Sequence, residues 1–108
     1  MTTNNLIGLQ VIDAITRHYD ISIPDLLRPS RRQMISRARA MACYLLREHA
    51  KLTYQAIAEM IGVDHTTVVY HHHKLRDAID PRIIEERDNT EDFYRLLVGI
   101  EYDKEIPF

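Results

Sequence analysis

Between residues 53 and 79 the chain sets two helix-forming segments around one glycine, an arrangement that forces two helices to meet at a tight corner. Thr53 can cap a short helix over residues 54–61, with Ile57, Ala58 and Ile61 on its inner face and Gly62 as its left-handed stop. Asp64 can cap a second, longer helix reaching about residue 79. Val68, His72, Leu75 and Ile79 recur along it as i, i+4, i+7 and i+11, and Pro81 lies just beyond its expected end. A short helix, a glycine turn and a longer helix make a helix-turn-helix pattern.

Helical periodicity runs through the rest of the chain. Leu6, Leu9, Val11, Ile12 and Ile15 predict a first helix, with Asn4 or Asn5 as its cap. Ser22, Pro24 and Asp25 have the spacing of a capped helix start, so residues 22–27 read as a short second helix. Arg28-Pro29-Ser30-Arg31-Arg32 breaks the pattern as a basic loop. A long helix is expected over residues 34–50, with Ile35, Ala38, Met41, Ala42, Leu45 and Leu46 inward. Residues 81–108 read as an acidic C-terminal extension. A short helix is expected from Thr90, with Phe93, Leu96, Leu97 and Ile100 as its apolar face, and a polar tail over 101–108. Nothing alternates as a strand would, so the fold class is all-α, a helix-turn-helix bundle of about five to six helices. Residues 1–80 are expected to form its domain and 81–108 the extension.

A chain of 108 residues with 45% hydrophobic and 28% charged content fits one globular domain. The single Cys43 has no partner for an internal disulfide, which fits a reducing compartment. No apolar run reaches the length of a membrane span, and no signal segment opens the chain, so a cytoplasmic, nucleoid-associated location is expected. The net charge of -2 is unevenly spread. Residues 28–76 hold nine bases and three acids, for +6, whereas residues 77–108 hold four bases and ten acids, for -6. A local basic island suits phosphate contacts whatever the total charge.

The start of the longer helix, Asp64-His65-Thr66-Thr67, is polar and mostly short-chained. In a helix-turn-helix this end faces base edges in the major groove. Threonine offers a hydroxyl and a methyl, and histidine donates or accepts through its ring. Other chemistry has little support. His71-His72-His73 point about 100° apart on a helix and do not converge on a metal. His72 belongs to the apolar stripe, and His71 and His73 are expected toward solvent or the DNA backbone. Cys43 lies mid-helix with nothing to activate it, and the acidic residues are scattered. Tyr44, Tyr54 and Tyr70 on helices read as core or boundary residues rather than stacking platforms. Gly8, Gly62 and Gly99 cannot compose a phosphate-cradling loop. No enzyme activity, cofactor or metal is expected.

Val63-Asp64-His65-Thr66-Thr67-Val68 closely resembles the signature of the C-terminal DNA-binding domain of the bacterial replication initiator family DnaA. The resemblance extends over roughly residues 9–77. It takes in Tyr19, Ile21, Leu26 and Leu27, the loop from Arg28 to Arg32, the run Arg37-Ala38-Arg39-Ala40-Met41-Ala42, and Leu46-Arg47-Glu48. It implies that Asp64, His65, Thr66 and Thr67 read bases of a short, asymmetric, A·T-rich box in double-stranded DNA. It implies that Arg31 enters the adjacent minor groove, and that Arg28, Arg32, Arg39, Arg47 and Lys51 hold the phosphate backbone. Three departures predict a different preferred sequence on the same fold. Gly62-Val63 stands one residue short of the family's Gly-Gly-Arg, Ala40 replaces a common glutamine, and Tyr54-Gln55 replaces a typical Leu-Pro. The ATP-binding module of full initiators has no counterpart in this sequence, which leaves either an excised domain or, as the preferred expectation, a free-standing protein of the kind a phage or mobile element carries. The resemblance implies a role in replication initiation or control, for which a replication-protein partner is possible, or in transcription regulation. The alternative is a protein-interaction module or an inhibitor of a DNA-binding partner. The acidic extension is expected to be able to fold over the basic island and mask it, so that truncating it would raise DNA affinity.

Overall fold

The computed structural model describes residues 3–102, and the side chains of residues 5–99. These form six helices and no strand: α1 (Thr3–Tyr19), α2 (Ile23–Leu27), α3 (Gln33–Glu48), α4 (Tyr54–Ile61), α5 (His65–Arg76) and α6 (Pro81–Tyr102). Helix α3 is the hub. Ala38, Ala42, Leu45 and Leu46 are fully buried against Val11 and Ile15 of α1, Ile57 and Ile61 of α4, and Val68 of α5.

Local chemistry sets most of the boundaries. The Ser22 hydroxyl accepts from Asp25 N at 3.1 Å, and that of Thr53 from Ala56 N at 3.1 Å. Each satisfies one of the orphan amides of a helix start. Gly62 closes α4 at φ 81°, ψ 40°, a left-handed conformation that a side chain would disfavour. Lys51 adopts φ 57° and turns the chain after α3, with Leu52 N donating to Leu46 O at 3.4 Å.

Other boundaries differ from the sequence reading. Asn4 and Asn5 are not caps, because α1 already begins at Thr3. Helix α5 stops at Arg76, and Ile79 is 90% exposed instead of completing the apolar stripe. The cause is the start of another helix. Asp80 Oδ1 accepts from Arg82 N at 2.9 Å, and Pro81, whose missing N–H is harmless in a first turn, opens α6.

Helix α6 then runs unbroken past Thr90, which is no helix start. It is 1% exposed in mid-helix, and its hydroxyl donates to Glu86 O at 2.7 Å. The Tyr19 hydroxyl donates to Glu86 Oε2 at 2.6 Å, and Arg37 pairs with the same oxygen at 3.4 Å. Tyr94 reaches the core, and His49 meets Glu91 at 2.8 Å. Leu96, expected on the inner face, is 61% exposed, and Ile100 lies outside the described side chains, as residues 103–108 lie outside the described residues. Among the described residues, α6 packs on α1, α3 and α5 and not on α2 or α4. Residues 81–102 therefore brace the bundle.

Cys43 is 1% exposed, and burial pushes its thiol from 9.0 up to about 12, against a smaller opposing pull from the Arg39 charge. A raised value means that its stabilising effect is complete below pH 9.0 and is lost as pH rises toward 12, because the unfolded chain ionises first. Cys43→Ala is expected to flatten the fall in thermal midpoint over that window. A fall as steep as that of the unaltered protein would count against the buried thiol as its source.

Candidate nucleic-acid interface

Asp64 occupies the N-cap position of α5 with φ -70° and ψ 147°, and its backbone oxygen accepts from Thr67 N and Val68 N. Unlike Ser22 and Thr53, its side chain makes no capping bond. The carboxylate and the first amides of α5 therefore stay available to a ligand. Asp64, His65 and Thr66 are exposed, and Thr67 is half-buried. The structure thus brings the four expected base-reading residues together on the first turn of α5.

One flank of that turn is the basic loop. Arg28, Arg31 and Arg32 are exposed there. Arg39 fixes the loop in place: its guanidinium donates to Arg28 O at 2.8 Å and to Ile61 O at 3.3 Å, tying the loop to the end of α4. Its buried Nε has no partner among the described residues. Arg39, expected on the phosphate backbone, thus has both terminal nitrogens on protein carbonyls. Leu27 O lies only 3.7 Å from where a Gly62 Cβ would stand, so the loop's root sits directly on the helix-turn-helix corner. A cleft of about 180 Å³ separates loop from helix, lined by Ser30, Ser36, Arg39, Val63, Thr67 and His71. His71, expected toward solvent or the DNA backbone, is half-buried in this cleft. Desolvation, then the Lys74 and Arg39 charges, hold its ring below the ordinary value.

The opposite flank is built on Tyr54. The Arg47 guanidinium stacks 4.5 Å over its ring and donates to Leu52 O at 3.0 Å, with exposed Lys51 alongside. The ring also packs edge-to-face with His65 at 6.0 Å, so it backs an expected base-reading side chain and a cation together. His72 is buried, as its place on the stripe predicts. Its Nε2 donates to Glu48 Oε1 at 2.8 Å, and its Nδ1 shares a 2.8 Å hydrogen bond with the Tyr54 hydroxyl. Tyr54 is the residue whose importance sequence reasoning missed. Its contacts reach back to Arg47 and on to His65 and His72, and are invisible to local periodicity. Among the described residues no cluster could hold a metal ion, and no helix is long and apolar enough to cross a membrane.

The family model for the bacterial DnaA protein helix-turn-helix matches residues 9–75, from the middle of α1 to the last turn of α5. The chain belongs to the DnaA helix-turn-helix family. The chromosomal replication initiator protein DnaA of a Nostoc species is 41% identical over 71 residues, covering 65% of this chain and 16% of that protein. DnaA of Tropheryma whipplei is 32% identical over 88 residues, covering 82% of this chain and 18% of the relative. The chain thus spans only a small part of the length of these DnaA proteins. The longer match to the second relative shows that similarity to DnaA extends beyond the helix-turn-helix itself.

Proposed function

We propose that this DnaA-family domain binds double-stranded DNA sequence-specifically, in replication initiation or its control. In this reading the first turn of α5 enters the major groove, where Asp64, His65, Thr66 and Thr67 meet base edges. Arg31 reaches into the neighbouring minor groove. Arg28, Arg32, Arg47 and Lys51 hold phosphates, and Arg39 holds the loop. The supporting observation is the symmetry of charge about α5: one basic group stands on each side of its exposed polar turn. The phosphate backbones stand in the same way on either side of a major groove about 12 Å wide. The DnaA relatives are named as chromosomal replication initiators, which favours a replication role over transcription control. Duplex DNA is then the principal partner and the nucleoid the place of action. The reading requires no cofactor.

The test is selection of bound duplexes from a random pool, with an A·T-rich initiator box as competitor. A short enriched motif that the box displaces is expected. Folded protein that enriches nothing at low salt would sink the proposal and turn attention to protein partners. His65→Ala is expected to narrow discrimination between sites by about 1–3 kcal/mol. Arg32→Ala should instead weaken all duplexes evenly and lower the slope of log affinity against log salt by about 0.9.

A further inference from the structure

Tyr70 is 59% exposed, a large aromatic ring left in solvent on the recognition helix itself. Its direction follows from helix geometry. Val68, His72 and Leu75 define the buried side of α5, and at about 100° per residue the opposite side is centred on Thr66, Tyr70 and His73. Thr67 and His71 face the basic-loop flank and Lys74 the neighbouring cleft against α3 and α6, while His65 and His72 face the Tyr54 flank. Tyr70 therefore stands midway between the two basic flanks, one turn beyond Thr66. Lys74 lies one turn further, with its Nζ 5.7 Å from the Tyr70 ring centroid. No acidic side chain interrupts α5 between His65 and Arg76.

An apolar ring at the middle of a face that is otherwise polar and cationic is matched to a surface with apolar points inside an anionic frame. The major groove supplies this at thymine, whose C5-methyl is its one apolar group. Four residues of helix advance the side chain by about 6 Å, close to two base steps of about 3.4 Å.

We propose that Tyr70 is a second tier of base readout, its ring covering a thymine methyl about two base pairs beyond the step that Thr66 meets. The Lys74 ammonium, held over that ring, neutralises the adjoining phosphate. This rests on the DNA-binding reading above and extends it from the first turn of α5 to the second. The box read by this chain is correspondingly longer than the first turn alone specifies.

The experiment compares motifs selected by the unaltered protein, Thr66→Ala, Tyr70→Ala and Tyr70→Phe. It then replaces single thymines of the selected duplex by uracil, which removes only the methyl. Tyr70 is exposed, so its variants should keep the fold, checked by circular dichroism. At one thymine, uracil is expected to weaken the unaltered protein by about fourfold, the factor that burying one such group is worth. Tyr70→Ala should be indifferent to that change and should lose the preference there, while Tyr70→Phe retains both. Thr66→Ala should lose preference at a different position. A Tyr70→Ala motif as long as the original, or weakening equal on every duplex, would overturn the role of Tyr70 and leave the DNA-binding reading intact. If the unaltered protein selected no motif at all, that reading would fail first, and this inference with it.

Discussion

Ending the chain after Asp80 is expected to destabilise the whole domain, not to release a masked DNA-binding surface. The cut removes Tyr94 from the core, together with the Glu86 carboxylate that receives Tyr19 and Arg37. It also strips Thr90 and Glu91 from their contacts with α1 and α3. Emptying the site of one large buried aromatic already costs about 3–5 kcal/mol, against a total stability for small domains of about 5–15. The back of α5 would suffer too, because Arg87 donates to Leu75 O at 2.9 Å and closes that helix's last turn. The measurement is urea unfolding of the full chain and of the truncated one. A truncated protein that unfolds at the same midpoint and binds DNA more tightly would restore the masking idea and rule out α6 as a brace.

Arg39→Ala is expected to lower both stability and DNA affinity, although nothing places its guanidinium on DNA. Two bonds from a charged, partly buried donor to backbone carbonyls stand to be lost, and each such bond is worth about 1.5–3 kcal/mol. Partial exposure and relaxation reduce the sum, so about 2–3 kcal/mol is the expected cost. The loop from Arg28 to Arg32 would then be free of the α4 end, and Arg31 would have to be ordered at the moment of binding. Arg39→Lys is the informative control. An ammonium keeps the charge but cannot span two carbonyls as a planar guanidinium does. If Arg39 acts through the loop, Lys should restore little of either property. Full recovery of DNA affinity by Lys, with stability still reduced, would instead mark Arg39 as a direct phosphate contact.

The helix-turn-helix was legible because its signals are local. Thr53 and Ser22 lie three residues before the amides they cap, and Gly62 stands where the chain must turn left-handed. The DnaA signature lies on the same stretch. The first half of helix α6 escaped because the side it turns inward is partly polar. Glu86 and Thr90 meet Tyr19 through hydrogen bonds, so apolar periodicity starts only near Phe93. A start signal is nevertheless present in Asp80-Pro81, where the proline alone reads as the end of the preceding helix. His72 belongs to the interior as its spacing predicts, but its bonds to Glu48 and Tyr54 depend on how three helices meet. The Arg39 strut is hidden for the same reason, since its partners Arg28 and Ile61 lie on opposite sides of it in sequence.

The two ends of α5 are finished in opposite ways. Its last carbonyls are sealed by Arg87 from another helix, while its first turn carries no side-chain cap. The rear of the helix is thus tied to the scaffold by a side chain of another helix, while residues 64–66 at the front are exposed. Substitutions at residues 64–66 are therefore expected to carry little penalty to folding, whereas changes near Leu75 should cost stability. Under the proposed base readout, this division would let a lineage explore new targets on an unchanged frame. It also makes the front turn the natural place to re-engineer preference.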